Sequence, residues 1–340
     1  MRASNDEWID AWLTFKAHNE GRSVATVEKY RGYLSRCGRF LLEQRGTTLA
    51  EASAADLEAF TGLFAHQAGL APKSRRAIVA SIRGFYAWLR RRGLRADNPA
   101  QALPYPVSGN KLPTPLETRH ARALLTQPDL ATFEGVRDLA VLMTLIGCGL
   151  RISGLVNLNE SSLRSVEVDG REWLILKVLE KGKKERLVPA PHDVKYILHA
   201  YLGHDELAGI DRTLPDGDRV LFVSTMNRRV PPHEYRGEHR RLSPRSVDDM
   251  IKKHGRRAGI PEDQLHAHAM RHLFGVQLAE AETDSLHIKA LMGHERVDTT
   301  EIYTHLATRH LTRVIDRASP FRDIDTPITA LVRELERRRR

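Results

Sequence analysis

Cysteine is almost absent from this chain of 340 residues, which contains only Cys37 and Cys148. The two lie far apart and form no C-x-x-C pair, so the sequence excludes a disulfide framework and a cysteine-rich zinc module and favours the reducing cytoplasm. Long apolar runs are missing too. The nearly continuous run from Leu139 to Ile146 is too short to cross a bilayer, and the N-terminus shows no apolar signal region. We therefore expect neither a membrane span nor secretion.

Acidic residues are outnumbered by basic ones. The chain has 53 Lys and Arg against 43 Asp and Glu, a formal net charge of +10 and a pI near 9.7. This excess favours a polyanionic partner, and nucleic acid is the simplest candidate. Apolar residues make up 41% of the chain, and a chain of this length has room for two domains, each with its own core.

Helical patterns fill the first part of the chain, and we expect residues 1–105 to form an all-helical domain. Ser23 is a suitable N-cap for a helix in which apolar residues from Val27 to Leu41 recur in steps of three and four. Further helices are predicted over about residues 7–18, 54–67 and 74–92.

Two of the predicted helices are rich in cations. One is the helix over about 74–92; the other begins at Ser243–Pro244, which suits an N-cap and a first helical turn, and ends near Arg257. A charged helix face is normally only solvated, but with the sites described below these two are our candidates for contact with nucleic acid. The cations assigned to this role are Lys73, Arg75, Arg76, Arg83, Arg90, Arg245, Lys252 and Lys253.

Prolines mark residues 106–115 as a linker, and a second domain of mixed α and β structure is expected over residues 116–318. It is predicted to contain helices at about 117–126, 131–146 and 192–203 and a small sheet at about 163–190 with a turn at Asp169–Gly170. Residues 204–242 are polar and are predicted to be a surface excursion, with one strand at Val220–Val223. The fold class is thus mainly α with a small antiparallel β-sheet.

Six of the sixteen histidines fall between residues 266 and 305. In a helix predicted over about 268–280, His268 and Arg271 stand at i, i+3 and share a face. Gly293 suits the left-handed position that closes a helix, which places His294 at a bend, and Tyr303 follows nine residues later. The buried side of the predicted helix consists of Leu273, Phe274, Val276, Gln277 and Leu278.

A zinc site is the competing interpretation of this stretch, since His268 and His272 stand at i, i+4. The glutamate that such a helix needs between them is missing, and no third ligand with metal spacing lies nearby. We therefore expect no metal.

Two upstream sites carry isolated cations. The apolar run ends at Gly147-Cys148-Gly149-Leu150, so Arg151 emerges from the core, where it is expected to face a carboxylate or a phosphate. An ion pair within the domain is the alternative. Lys181 lies at the tip of a predicted hairpin between two β-prone runs, a position that taken alone indicates only solvated surface.

These residues, in this order, resemble the tyrosine recombinases, or phage integrase family. GCGLRIS resembles the family's first arginine box, EKGKKERLVP its lysine hairpin, HAMRH its His-x-x-Arg box, LMGH its third box and TTEIYTH the segment with the nucleophile. The resemblance covers roughly residues 20 to 320. Gly154 is a departure, because the family usually has glutamate there to support the first arginine.

The resemblance implies a catalytic set and a reaction without metal or other cofactor. Tyr303 would be the nucleophile, Arg151 and Arg271 would hold the scissile phosphate, and His268 would act as acid and base. By the same resemblance, Lys181 protonates the leaving 5′ hydroxyl and His294 hydrogen-bonds the phosphate. The product would be a 3′-phosphotyrosine, resealed by a 5′ hydroxyl from another duplex through a Holliday junction.

The family also implies partners: double-stranded DNA with paired inverted-repeat half-sites, and further copies of the chain in a tetramer on synapsed DNA. Residues 319–340 would then be a tail helix that docks on the neighbouring subunit, although packing on its own domain is the alternative. Because the chain starts almost directly with the helical domain, we expect a simple recombinase without an arm-binding module, acting at the nucleoid of a bacterial or mobile-element host.

Two other classes of function stay open on sequence grounds. A type IB topoisomerase would use the same residues to relax one duplex, and a non-catalytic DNA-binding regulator would explain the charge alone.

Overall fold

The computed structural model describes residues 5–107, 114–180, 184–227, 230–281 and 283–293, and, near the C-terminus, 311–312, 314–315, 317–322, 324, 326 and 328–329. Two compact units are present, Met1–Lys111 and Leu112–Arg340. The fold class predicted from the sequence is confirmed, since helices dominate and the described strands form one small antiparallel sheet.

The first unit is helical in its described part. Its core contains large aromatic side chains such as Trp12, Phe60 and Phe85, which are almost fully buried. Ser53 begins the third helix with a reciprocal capping box to Asp56. The helices are α1 (Asn5–His18), α2 (Val24–Arg45), α3 (Ala54–Ala59), α4 (Ala65–Gln67) and α5 (Pro72–Arg91).

The segment between α3 and α4 differs from the predicted single helix over 54–67. Phe60–Phe64 forms a π-helical turn that joins α3 to α4. The turn brings the rings of Phe60 and Phe64 to 5.4 and 4.7 Å from the ring of Phe40 on α2. Aromatic packing of this kind stabilises an irregular turn that hydrophobic periodicity does not predict.

The second unit is built around a buried helix, α7, which packs against α9 and α12. Nearly every residue of α7 is buried, as expected for the apolar run from Leu139 to Ile146. The predicted helices over 117–126, 131–146, 192–203 and 243–257 are confirmed. The helices of this unit are α6 (Thr118–Leu125), α7 (Phe133–Cys148), α8 (Ile152–Val156), α9 (His192–Leu202), α10 (Asp205–Ala208), α11 (Pro244–Arg257), α12 (Ala267–Glu280) and α13 (Ser285–Met292).

A three-stranded antiparallel sheet, β1 (Leu163–Val168), β2 (Arg171–Glu180) and β3 (Lys184–Pro189), lies in the predicted region with β2 in the centre. Alternate residues of a strand point to opposite faces. Leu174 and Leu176 therefore join the core around α7, while Trp173 and Ile175 pack in a second cluster with residues of α12 and α13. The sheet thus separates the α7 core from the cluster that supports the end of α13.

A buried ion pair on α7, Arg137 with Asp138, is joined to α11 by a hydrogen bond between Asp138 and His254. Both guanidinium Nη2 and Nε of Arg137 donate to Asp138 Oδ1, and His254 Nε2 lies 2.9 Å from Asp138 Oδ2. Burial by itself would raise the pKa of the Asp138 carboxyl, but the hydrogen bond to His254 and the charge and hydrogen bonds of Arg137 outweigh it and hold that pKa below its ordinary value. The carboxylate is therefore stabilised in its charged form.

Three local predictions were wrong. The segment Val220–Val223, predicted to be a strand, is buried but forms only two single bridges, Asn159 to Val220 and Val223 to Arg241. The Tyr201 hydroxyl bonds with its backbone instead of a neighbouring strand: it donates to Leu221 O and accepts from Val223 N. Residues 204–242 are therefore partly core and not merely a surface excursion. On α12, Val276 is 39% exposed and does not belong to the buried side.

The C-terminal tail begins inside the core of its own unit. Phe321, Ile324 and Ile328 are buried in the cluster around α7. Most of the predicted tail helix, residues 319–340, lies outside the described residues. Within the part of the chain that the structure describes, no helix has the length and apolarity needed to cross a membrane.

Candidate functional site

Arg151 stands where the buried helix α7 ends. Gly149 closes α7 with a φ of 57°, and a Cβ added there would lie 2.2 Å from Cδ1 of Phe274, so only glycine fits. The chain turns at once into α8, whose N-cap is Arg151. A turn held this closely against the core presents Arg151 from a rigid base. Its side chain is half-buried, and Nη2 donates to Gly293 O over 3.4 Å.

Helix α12 supplies the second arginine and the histidines. His266 caps the helix, with its Nδ1 accepting from Ala269 N at 2.9 Å. One turn later, Arg271 is 2% exposed and bridges two helix ends: Nη1 donates to Gly149 O at 2.6 Å and Nη2 donates to Met292 O. Arg151 and Arg271, 120 positions apart in sequence, thus donate to the consecutive carbonyls of Gly293 and Met292.

Three imidazoles lie together in the first turns of α12. The ring of His268 lies 4.4 Å from that of His272, edge to face, and 6.5 Å from that of His266. Burial, and then repulsion by His272, His266, Arg271 and Arg151, lowers the pKa of His268 below its ordinary value of 6.5. His268 is therefore neutral at neutral pH and able to accept a proton.

Positive charge is concentrated at the arginines. Burial, followed by repulsion from Arg151 and Arg186, lowers the pKa of Arg271 to about 9. Burial and Arg151 lower the pKa of Arg186 to about 10. In the described part of the chain Arg271 pairs with no carboxylate; its hydrogen bonds go to the carbonyls of Gly149 and Met292. Guanidiniums that repel one another at a partly dry site bind an anion strongly.

Arg186 on β3 was missed by the sequence reasoning. Its Nη1 donates to Leu291 O, next to the carbonyls used by Arg151 and Arg271. A signal was available: Arg186 stands two residues before the buried Val188 and opposite Val178, so strand alternation places a guanidinium on the core-facing side of the sheet.

Gly154 is enclosed where the family's glutamate would stand. It is buried in α8, and a Cβ there would lie 2.9 Å from Cγ1 of Val178. A glutamate would therefore displace the strand side chain. Support for Arg151 comes in this chain from a backbone carbonyl, that of Gly293.

The remaining members of the predicted catalytic set lie outside the described residues. Lys181 belongs to the connection between β2 and β3, directly after Glu180, and His294 follows Gly293 by one peptide bond. Tyr303 is likewise outside. Among the described residues no group of three or more His, Cys, Asp or Glu is placed to hold a metal ion.

The cations predicted on α5 differ in their surroundings. Lys73 and Arg90 are exposed. Arg75 instead turns inward, and its Nη2 donates to Thr61 O at 3.4 Å and Gly62 O at 3.5 Å. Arg76 and Arg83 lie over the ring of one tyrosine, Tyr105, at 4.8 and 5.0 Å from its centroid. Such stacking fixes the orientation of two guanidiniums.

The cations predicted on α11 lie on its outer side. Ser243 caps the helix by accepting from Ser246 N at 3.0 Å. Arg245 and Lys252 pair with aspartates one turn away, Lys252 at 2.6 Å, and Lys253 is exposed. Surface pairs of this kind contribute little and are readily exchanged for a phosphate.

Known proteins resemble the chain along nearly its whole length. Residues 116–310 match the model of the Phage integrase family, and residues 9–93 match that of the Phage integrase, N-terminal SAM-like domain. Tyrosine recombinase XerC of Pseudomonas syringae pv. syringae is 32% identical over 315 residues, which are 93% of this chain and 96% of the relative. Tyrosine recombinase XerD of Xanthomonas campestris pv. campestris is 30% identical over 323 residues, 94% of each.

Solved structures share the fold. The XerH site-specific recombinase bound to difH substrate, in a pre-cleavage complex, aligns with a TM-score of 0.61 at 16% identity and covers 92% of this chain and 84% of that one. A lambda integrase dimer bound to a COC′ core site aligns with a TM-score of 0.59 at 16% identity, covering 87% and 98%.

Fold, paired arginines and relatives together define the class of protein as a tyrosine site-specific recombinase. Both family models match in the order in which the two units occur. The chain belongs to the phage integrase family.

Proposed function

We propose that this recombinase breaks and rejoins duplex DNA through a covalent 3′-phosphotyrosine at Tyr303, using Arg151, Lys181, His268, Arg271 and His294, without metal or ATP. The observation that carries the proposal is the convergence of Arg151 and Arg271 on adjacent carbonyls at the end of α13. Arg271 shares helix α12 with the neutral His268. A phosphate with two non-bridging oxygens matches two guanidiniums in this arrangement.

In the first step, strand cleavage, each proton and each bond can be assigned to one of these residues. The Tyr303 phenol has an ordinary pKa near 10 and must lose its proton to attack phosphorus at neutral pH, and the depressed pKa of His268 leaves a neutral imidazole to accept it. As the new O–P bond forms, the P–O5′ bond breaks, and Lys181 gives a proton to the leaving 5′ oxygen, which departs as a hydroxyl. Arg151, Arg271 and His294 stabilise the charge that develops on the phosphate.

Rejoining reverses these roles. A 5′ hydroxyl from another duplex attacks the phosphotyrosine, and Tyr303 leaves as the phenol. Since a phosphodiester is exchanged for a phosphate ester and back, no external energy source is needed. The two exchanges in succession pass through a Holliday junction.

The DNA partner is double-stranded DNA with paired inverted-repeat half-sites, engaged by a tetramer of this chain. A net charge of +10 and the cations of α5 and α11 support phosphate contact, which we assign to Lys73, Arg76, Arg83, Arg90, Arg245, Lys252 and Lys253. Arg75, also predicted to bind DNA, would first have to give up its bonds to Thr61 and Gly62. A solved lambda integrase tetramer is bound to a Holliday junction, which supports a tetramer here.

Domain roles follow the same scheme. We assign DNA core binding to residues 1–105, the linker to 106–115 and catalysis to 116–318. In the proposed tail, 319–340, Phe321, Ile324 and Ile328 pack in their own unit, so docking on a neighbouring subunit is assigned to residues after 329. Action on DNA places the enzyme at the nucleoid, in the cytoplasm.

The test uses a DNA site selected by the protein from a random pool of duplexes and nicked so that the cleaved end escapes. The wild type should form a covalent complex at equal rates with and without EDTA, and Tyr303→Phe should form none while binding equally well. A non-catalytic regulator would bind without cleavage. A topoisomerase would relax supercoiled plasmid carrying the site without exchanging strands between duplexes, so strand exchange between two labelled duplexes completes the test.

A further inference from the structure

The last turn of α13 is held by three arginines from three other parts of the fold. The carbonyls of Leu291, Met292 and Gly293 accept hydrogen bonds from Arg186 on β3, Arg271 on α12 and Arg151 before α8. The final carbonyls of a helix have no partner within the helix and carry the negative end of its dipole, so cations stabilise them.

Arg186 differs from the other two because it has no place in the catalytic set. It is partly buried on the core-facing side of β3, beside Arg151, and burial and that neighbouring charge lower its pKa to about 10. A charged side chain at such a position costs free energy that an apolar residue would avoid. The charge strengthens a bond to Leu291 O, one of the terminal carbonyls of α13.

The end of α13 also limits the position of one member of the proposed catalytic set. His294 follows Gly293 directly, and successive Cα atoms are about 3.8 Å apart, so the last turn of α13 limits where His294 can lie. Under the proposed function a phosphate would draw the donors of Arg151 and Arg271 away from Gly293 O and Met292 O. Arg186 is assigned no part in holding the phosphate, so its bond to Leu291 O would still hold the turn.

We propose that Arg186 is a positioning residue for strand cleavage: it ties β3 to the last turn of α13 and thereby limits where His294, the next residue of the chain, can lie. This inference rests on the proposed function.

The test is single-turnover cleavage of the nicked substrate, which separates the rate constant from the active fraction. Arg186→Met keeps the length and removes the charge. We expect its cleavage rate constant to fall about 10- to 100-fold, as for misplacement of a catalytic group by about an ångström, with DNA binding and final amplitude unchanged. Arg186→Lys, which keeps a cation that can reach the carbonyl, should recover part of the rate. The matched control is Arg164→Met on the exposed face of β1, which should cleave like the wild type.

A double-mutant cycle with His294→Ala tests the route of the effect. If Arg186 acts through His294, adding Arg186→Met to His294→Ala should slow cleavage little further, since coupled residues do not add. The inference would be overturned if the rate loss of the double variant equalled the product of the losses of the two single variants. It would also be overturned by a wild-type rate constant with a reduced amplitude and melting temperature, the signature of a merely structural role. If Arg186→Met does not fold, the cycle is run with Arg186→Lys. Cleavage by Tyr303→Phe would instead refute the proposed function.

Discussion

Replacing Arg271 with methionine separates what this arginine does for the fold from what it does for the reaction. The guanidinium is 2% exposed and donates to Gly149 O and Met292 O. Methionine fills similar space but leaves two carbonyls without this donor. It also removes a buried charge that is repelled by Arg151 and Arg186.

The two effects on stability oppose each other. Each lost hydrogen bond costs about 1 kcal/mol, and relief from burying a charge offsets part of that, so we expect a change in unfolding free energy below about 2 kcal/mol. Loss of a preorganised donor to the reacting phosphate is larger, about 10²- to 10³-fold in rate, or about 2.7 to 4 kcal/mol of transition-state stabilisation. The rate effect should therefore exceed the stability effect.

Three measurements on Arg271→Met check this reasoning: the single-turnover cleavage rate constant, gel-shift affinity for the same DNA and the melting temperature. We expect a large loss of rate, retained DNA binding and a small change in melting temperature. The control is Arg119→Met, which removes an exposed guanidinium paired with exposed Glu117 and should change none of the three. Cleavage by Arg271→Met at the wild-type rate would refute the role assigned to this arginine.

Three further predictions concern single sites. Because the folded-state pKa of Asp138 is depressed, its stabilisation is fully present above the unfolded pKa of about 3.9 and is lost progressively as the pH falls through the folded-state pKa. Asp138→Asn should cost about 3 kcal/mol at pH 7 in urea unfolding and steadily less as the pH is lowered below about 3.9, and a cost that does not fall with pH would contradict the ion pair. Gly154→Glu should lower the melting temperature and the cleavage rate, with partial recovery on adding Val178→Ala; a faster enzyme would show that the space is available. His268 must be neutral to accept a proton, and its pKa is lowered, so cleavage should persist below pH 6.5. His272→Phe removes a repelling charge and should raise the pKa of His268, which moves the acid limb of the pH–rate profile to higher pH. An acid limb at the wild-type pH would argue against His268 as the base.

The sequence predicted most of the regular elements because their signals are local. The N-cap at Ser243 with Pro244 after it placed α11, and Gly293 placed the end of α13. The sheet followed from the two β-prone runs on either side of Lys181 and from the turn at Asp169–Gly170. The resemblance to a family placed Arg151, His268 and Arg271, which the structure brings to one region.

The errors have long-range causes. Val220–Val223 has the composition of a strand, but its backbone bonds partly with the hydroxyl of Tyr201, some twenty residues away. The π-helical turn at Phe60–Phe64 depends on a ring of α2. The hydrogen bonds of Arg186 and Arg271 go to backbone carbonyls more than twenty residues distant, and carbonyls have no signature in a sequence.

The most direct test of the central claim is to identify the residue that stays joined to DNA after cleavage of the nicked substrate. Trypsin should release the peptide of residues 297–309, which contains one tyrosine, Tyr303. We expect mass spectrometry to find this peptide linked through a 3′ phosphate, with fragmentation placing the link on Tyr303. A link to any other residue, or cut DNA with no protein attached, would contradict the central claim.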